Sequence, residues 1–235
     1  MVFKALDTSP CPPIERDILV VADELSPFQQ EIAGRLQKRL MSTTASRCDI
    51  LPLQNASKVE NLQSVFCISI LELGVPLLRD LEPKTYGNPQ TLLTTAQHLL
   101  WVSSQSKNGD DLSIGVVDGL ARVLRTENPG HAFVTLYLKS NANVGATVHY
   151  MECIMKTVTA TTHRTTDGTY EREYVEENGM IKIGRLVKAR YLDHHLSTQE
   201  SPSQSQVQAF GLEPHLALYV IYPGLLDTLH FTTDE

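Results

Sequence analysis

The sequence predicts an α/β protein built on a doubly wound, mostly parallel sheet with helices on both faces. Three observations carry this. Short runs of apolar and β-branched residues alternate with stretches of helical period, which is the signature of βαβ units. The strand runs are continuously apolar rather than alternating, as in strands covered on both faces. With 235 residues and 42% hydrophobic content, the chain buries a sizeable core without disulfide staples.

The elements follow in order. Asp17–Ala22 is a buried strand: Ile18, Leu19, Val20 and Val21 stand in a row and three of them are β-branched. A helix start follows, with Ser26 as N-cap, Pro27 at the first helical position and Gln29 at capping-box spacing. Phe28, Ile32, Leu36 and Leu40 then recur every four residues as one apolar stripe. Cys48–Leu53 is a second, weaker strand, and Ser64–Leu71 a third that reads as central. A helix over Pro89–Gln97 leads into the strand His98–Ser103. The helix Ser113–Thr126 turns Val117, Leu120, Ala121 and Leu124 inward and stops before Pro129-Gly130. Ala132–Leu138 is the fifth strand. The helical stretch Val144–Val158 aligns Val144, Val148, Met151, Met155 and Val158.

After Ala160 the pattern changes. Thr169–Val175 alternates, Glu177-Asn178-Gly179 turns, and Met180–Ile183 returns, which predicts a β-hairpin. Residues 194–210 are Ser/Gln-rich and aperiodic, a linker composition. Leu216–Tyr222 is one more strand, followed by the Pro223–Leu229 turn. One strand and a turn close no core, so the sequence predicts the start of an incomplete second domain. The expected organisation is a tail over 1–13, an α/β domain over 14–192, a linker over 193–212 and the second domain's opening over 213–235.

Twenty basic against 27 acidic residues give a net charge of −7. That argues against nucleic-acid and anionic-membrane partners, which need clustered Lys and Arg. No apolar run reaches the length of a membrane span, and Met1-Val2-Phe3-Lys4 begins no signal-peptide apolar region. Cys11, Cys48, Cys67 and Cys153 are scattered without CxxC spacing. The expectation is a reducing, cytoplasmic setting with neither disulfides nor a zinc site.

A doubly wound sheet invites a search for nucleotide chemistry. The turn after the first strand reads Ala22-Asp23-Glu24-Leu25-Ser26-Pro27, with no glycine and two carboxylates, and G-x-G occurs nowhere. A pyrophosphate needs backbone N–H groups at close approach and no opposing charge. Gly115 and Gly119 lie within a predicted helix and read as close-packing positions. A reductase of this fold uses a Tyr-x-x-x-Lys pair, in which Lys lowers the tyrosine pKa. None of the eight tyrosines has Lys four residues on. Ser103 and Ser104 at a strand end read as ordinary polar residues. His194-His195 reads as solvated, and Glu171, Glu173, Glu176 and Glu177 as a solvated hairpin face. Catalytic, cofactor-binding and metal residues are therefore all expected to be absent. Arg122, Arg125 and Glu127, near a helix C-terminus, read either as dipole-complementing charges or as an ion-pair patch against a neighbouring domain.

Leu99–Ser103, Gly119–Asn128 and Phe133–Leu136 together resemble the structural (pseudo) ketoreductase segment of fungal highly reducing polyketide synthases. Tyr170–Gly179 with Ile183–Leu186 resembles that segment's closing hairpin. Pro223–Phe231 resembles the opening of the enoylreductase domain that follows it. The resemblance implies a truncated Rossmann-like fold without catalytic duty, packed against the true ketoreductase. It implies ketoreductase and enoylreductase domains as partners and no cofactor in this segment, with NADPH used by other domains of the parent synthase. The alternatives are a trans-acting NADPH-dependent reductase, with a proton donor near Ser103 or Tyr137, and a partner-binding accessory protein of a polyketide cluster.

Overall fold

The structure is a computed structural model that describes residues 16–43, 47–75, 77–79, 81–83, 86–105, 112–139, 143–164, 170–184, 216–220 and 229–233. The expected tail over 1–13, Cys11, the His194-His195 pair, the linker over 193–212 and the Pro223–Thr228 turn lie outside the described residues. The chain divides into two compact units, Met1–Arg185 and Leu186–Glu235.

The first unit alternates strand and helix as predicted: β1 (Ile18–Val21), α1 (Pro27–Thr43), β2 (Cys48–Leu51), α2 (Leu53–Ala56), β3 (Phe66–Glu72), α3 (Gly87–Thr95), β4 (His98–Ser104), α4 (Leu112–Glu127), β5 (Ala132–Leu138), α5 (Val144–Arg164), β6 (Glu173–Glu177) and β7 (Met180–Ile183). The one-turn helix α2 has no sequence counterpart, because four residues are too few to show a period. The seven-stranded sheet runs β2-β1-β3-β4-β5-β6-β7. The first six strands are parallel and β7 returns antiparallel to β6. β1, β3 and β5 are buried along their whole length, as their continuous apolar sequences require.

Each face of the sheet has its own core. On one, Ile32, Ala33, Leu36 and Leu40 of α1 and Val148, Met151, Ile154, Met155 and Val158 of α5 cover Val20, Ile68, Leu100 and Val134. On the other, α2, α3 and α4 cover Leu19, Cys67, Leu99, Trp101 and Phe133. Trp101, the only tryptophan, is fully buried and tilts against Phe133.

Two expected packing positions differ. Phe28 is 46% exposed, and the buried place in that turn of α1 goes to Gln29. Gly115 and Gly119 pack against nothing: a Cβ at either would meet no atom within 4 Å, because that face of α4 turns away from the sheet.

The hairpin forms with Tyr174 opposite Ile183 and Glu177 opposite Met180. Its two-residue turn holds Asn178 at φ 55° and Gly179 at φ 78°, the left-handed pair that a two-residue hairpin turn requires. In the second unit, β8 (Leu216–Val220) pairs antiparallel with β9 (Leu229–Thr233), Leu218 opposite Phe231. The sequence reading stopped at the turn and missed β9, whose Leu-His-Phe-Thr-Thr is too short and mixed to stand out.

Candidate functional site

In a doubly wound sheet, ligands collect at the carboxyl ends of the strands where the strand order reverses. Here that point lies between β1 and β3. The β1–α1 turn is closed by its own side chains. Gln29, 1% exposed, accepts a hydrogen bond from the Asp23 N–H at 2.9 Å. Its Nε2 donates to the carbonyls of Leu71 at 3.2 Å and Leu73 at 3.1 Å. Gln29 thus ties the turn to the end of β3. Asp23 Oδ1 takes the Leu25 N–H at 3.0 Å, and the Asp23 carbonyl takes the Ser26 N–H at 3.3 Å. Ser26 Oγ receives the Gln29 N–H at 3.4 Å, so the predicted cap is present. The second arm of the capping box is not, because the Gln29 amide is engaged across the crevice. The backbone N–H groups of Asp23, Leu25, Ser26 and Gln29, in the place of a glycine cradle, are occupied within the chain.

Further along the carboxyl edge, Glu72, Ser103 and Tyr137 fall in register on β3, β4 and β5 and are all buried. An irregularity between Ser69 and Glu72 shifts the end of β3 to produce this row. Glu72 accepts the Leu78 N–H at 2.6 Å, and Ser104 Oγ accepts the Gly74 N–H at 3.0 Å. One register step inward, the buried Ser69 Oγ and Trp101 Nε1 have no hydrogen-bond partner among the described residues.

The residues singled out on α4 form the densest polar cluster. Arg125, with 7% of its side chain exposed, donates to the Phe133 carbonyl at 2.8 Å, the Arg172 carbonyl at 2.8 Å and Glu173 Oε1 at 2.7 Å. Arg122 grips the same carboxylate with Nε at 2.9 Å and Nη2 at 2.8 Å. These bonds, first that from Arg122 and then that from Arg125, hold the Glu173 carboxyl below its ordinary pKa despite partial burial. Burial pushes the nearby Asp118 carboxyl up, and Glu173 adds to the rise, while a 3.0 Å hydrogen bond from Thr135 opposes it. Arg122 and Arg125, expected as helix-end charges or as an ion-pair patch against a neighbouring domain, pair with Glu173 within the first unit and anchor the hairpin strand to α4 and β5. Glu127 is exposed at the helix end.

Sequence reasoning missed Gln29, Asp118 and Glu173 as partners, since each works through contacts distant in sequence. The solvated-face reading of the hairpin carboxylates is corrected for two of the four: Glu173 binds the arginines, and Glu176 is 1% exposed and takes the Gly179 N–H at 2.8 Å, while Glu177 pairs with Lys139 and Lys182 at the solvent-facing side.

A protein family described as the HRPKS sdrA-like, NAD(P)-binding Rossmann-fold domain matches residues 14–187. The chain belongs to this family. It is similar to the highly reducing polyketide synthase phiA of a fungal species, 26% identical over all of this chain and 9% of that synthase. It is similar to the reducing polyketide synthase hmp8 of Hypomyces subiculosus, 30% identical over 93% of this chain and 9% of the synthase. Highly reducing polyketide synthase 40 of Fusarium mangiferae is 29% identical over 89% of this chain and 8% of its own length. The chain therefore spans about a tenth of the length of the curated relatives it matches. No solved structure matches.

The family corrects one expectation. The absence of a glycine loop led to an expectation of no cofactor, whereas the domain family is described as NAD(P)-binding. In this chain the turn after β1 has no glycine, and its Asp23, Leu25 and Gln29 N–H groups are engaged by Gln29, Asp23 and Ser26. No helix among the described residues is long and apolar enough to cross a membrane. Among those residues no group of three or more His, Cys, Asp or Glu side chains is arranged to hold a metal.

Proposed function

We propose that this chain is the structural, pseudo-ketoreductase segment of a fungal highly reducing polyketide synthase, bracing its neighbours instead of reducing a substrate itself. The observation that carries this reading is the composition of the carboxyl edge. Ser103 and Tyr137 stand side by side there, both buried, and neither Tyr137 nor any other tyrosine is followed by Lys at the spacing that acidifies a phenol. The partners are the synthase's ketoreductase and enoylreductase domains. Leu216–Thr233, with its β8–β9 pair, is read as the opening of the enoylreductase domain. Binding of NADPH without turnover is compatible with this role.

The test is association. The purified chain is mixed with the ketoreductase and enoylreductase regions of a highly reducing synthase, and complex formation is followed by analytical ultracentrifugation together with the ketoreductase's thermal stability. A complex that raises the ketoreductase's Tm supports the brace. Independent sedimentation with unchanged Tm removes it.

A second reading, a reductase acting in trans, is favoured by the register that sets Tyr137 beside Ser103. It requires turnover of a β-ketoacyl or enoyl thioester that Tyr137→Phe abolishes.

A further inference from the structure

The helix α4 is apolar on two sides, and the sheet uses only one of them. Val117 and Ala121 are buried in the core with Trp101 and Phe133, and Leu120 and Leu124 pack beside them. On the side turned away, Val116 is 42% and Val123 53% exposed, with Gly115 and Gly119 exposed beside them. A helix that is apolar all round is ordinarily a buried one. The helix α1 follows the usual pattern instead and turns Glu31, Arg35, Lys38 and Arg39 to solvent. The charges nearest the outer stripe of α4 are answered within the chain. Asp118 accepts the Thr135 hydroxyl, and Arg122 grips Glu173. The stripe itself, Gly115, Val116, Gly119 and Val123, carries no charge.

The two glycines weaken this helix for no reason found inside the first unit. Glycine in a helix interior is less favourable than alanine, yet a Cβ at Gly115 or Gly119 would meet no atom within 4 Å. What a bare backbone allows is close approach from outside. Gly115, Gly119 and Val123 follow at intervals of four, so they form one row along the helix surface. That row is a notch at its first two positions and a knob at its third. The spacing is symmetric about Gly119, with glycine four residues before it and valine four after. Two such helices laid antiparallel across a two-fold axis at Gly119 bring Val123 of each over Gly115 of the other. One patch that holds both the knob and its matching hole is what an isologous contact requires.

We infer that α4 pairs with α4 of a second copy of this chain, antiparallel and symmetric about Gly119, with each Val123 seated over the other copy's glycine notch. This goes beyond the brace proposed above and does not depend on it. The same arithmetic sets Val116 opposite Arg122, whose aliphatic stem covers it while the guanidinium stays with Glu173. The helix has 16 residues, about 24 Å of length. A contact built on one helix pair of that length belongs to the small, reversible class of interfaces, so the dimer dissociates on dilution.

The experiment sediments the full chain over a concentration series, in which the dimer is expected to grow with concentration. Gly119→Leu fills the notch at the axis but meets nothing in its own chain. It is expected to leave the fold intact, read by Trp101 fluorescence, and to weaken the dimer about tenfold or more. Val123→Lys removes the knob and places a charge in the contact, and is expected to act the same way. Gly119→Cys is expected to form an intermolecular disulfide on mild oxidation, because the axis brings its two copies together. Glu127→Cys, at the far end of the helix, is the control expected to stay free. A chain monomeric up to about 1 mM, a dimer unmoved by Gly119→Leu and Val123→Lys, or equal cross-linking of the two cysteine variants overturns the inference. So does a chain that is monomeric alone but loses a complex with a synthase ketoreductase region in the same two variants, which assigns the face to another domain.

Discussion

Replacing Arg125 by Met tests what holds the hairpin strand to the body of the domain. Met keeps most of the apolar stem but removes all five donors. Arg125 is the donor to two carbonyls, of Phe133 and Arg172, and to Glu173. Each hydrogen bond lost from the charged donor is worth about 1.5–3 kcal/mol, although the Arg172 carbonyl keeps the Thr135 N–H at 2.9 Å. Glu173 retains the two bonds from Arg122, so its carboxylate is not orphaned, and burying the Met side chain offsets part of the loss. The net cost is about 3 kcal/mol, set by the lost hydrogen bonds to the charged donor. For a domain of this size each kcal/mol lowers Tm by about 2–4 °C, so the expected fall is about 6–12 °C. Arg122→Met is the control. Its side chain is 65% exposed, and solvent screening reduces such a pair to about 0.5 kcal/mol, a fall of about 1–2 °C. Thermal unfolding followed by Trp101 fluorescence reports this core directly, because Trp101 is the only tryptophan and is fully buried. Equal shifts for the two variants would refute the assignment of Arg125 as the buried anchor.

Three further outcomes are expected. Gln29→Met leaves the Leu71 and Leu73 carbonyls and the Asp23 N–H unpartnered; a loss of about 2–3 kcal/mol in urea unfolding is expected, and a neutral result would show that the Gln29 bridge across the β1–β3 crevice contributes little. Asp118→Asn keeps the acceptor for Thr135 while removing a carboxylate whose pKa is raised mainly by burial. Such a group favours the fold below its unfolded pKa, and this gain is lost as pH rises through the folded value. The Asn variant should therefore have the higher Tm at neutral pH, with the gap narrowing under acid; a lower Tm at neutral pH would contradict this. Gly179→Val places a β-branched residue at φ 78° and should cost about 1–2 kcal/mol. The assay is urea unfolding, with amide exchange in β6 and β7 accelerated as well; protection unchanged from the parent would count against the turn's role.

The first unit's architecture is legible in the sequence because its information is local. Ile18–Val21 is apolar without interruption, Phe66–Leu71 and Ala132–Leu138 are broken only by Ser69 and Thr135, and the helices between them keep their period. Asn178-Gly179 announces its hairpin through the one property that residue pair supplies, easy access to left-handed backbone. The polar contacts are less legible because they depend on which distant residues the fold brings together. Gln29 looks like a capping-box residue until Leu71 and Leu73 arrive over it. Arg125 looks like a helix-end charge until the crossover through α5 delivers Glu173 to it. The hairpin carboxylates look solvated because alternation predicts faces but not the arginines and lysines that meet them. The cofactor expectation failed for a related reason: it rested on one glycine motif, and the lack of that motif says nothing of other ways to hold a nucleotide.

The central claim is that this Rossmann-fold segment supports a polyketide synthase without reducing a substrate itself. It is tested most directly by incubating the purified chain with NADPH and a β-ketoacyl thioester, then with an enoyl thioester, and following loss of the NADPH absorbance together with product formation. The account predicts no product above the protein-free control, whether or not NADPH binds. Reduction of either thioester that disappears in Tyr137→Phe would contradict it and establish the carboxyl edge of β4 and β5 as a working reductase site.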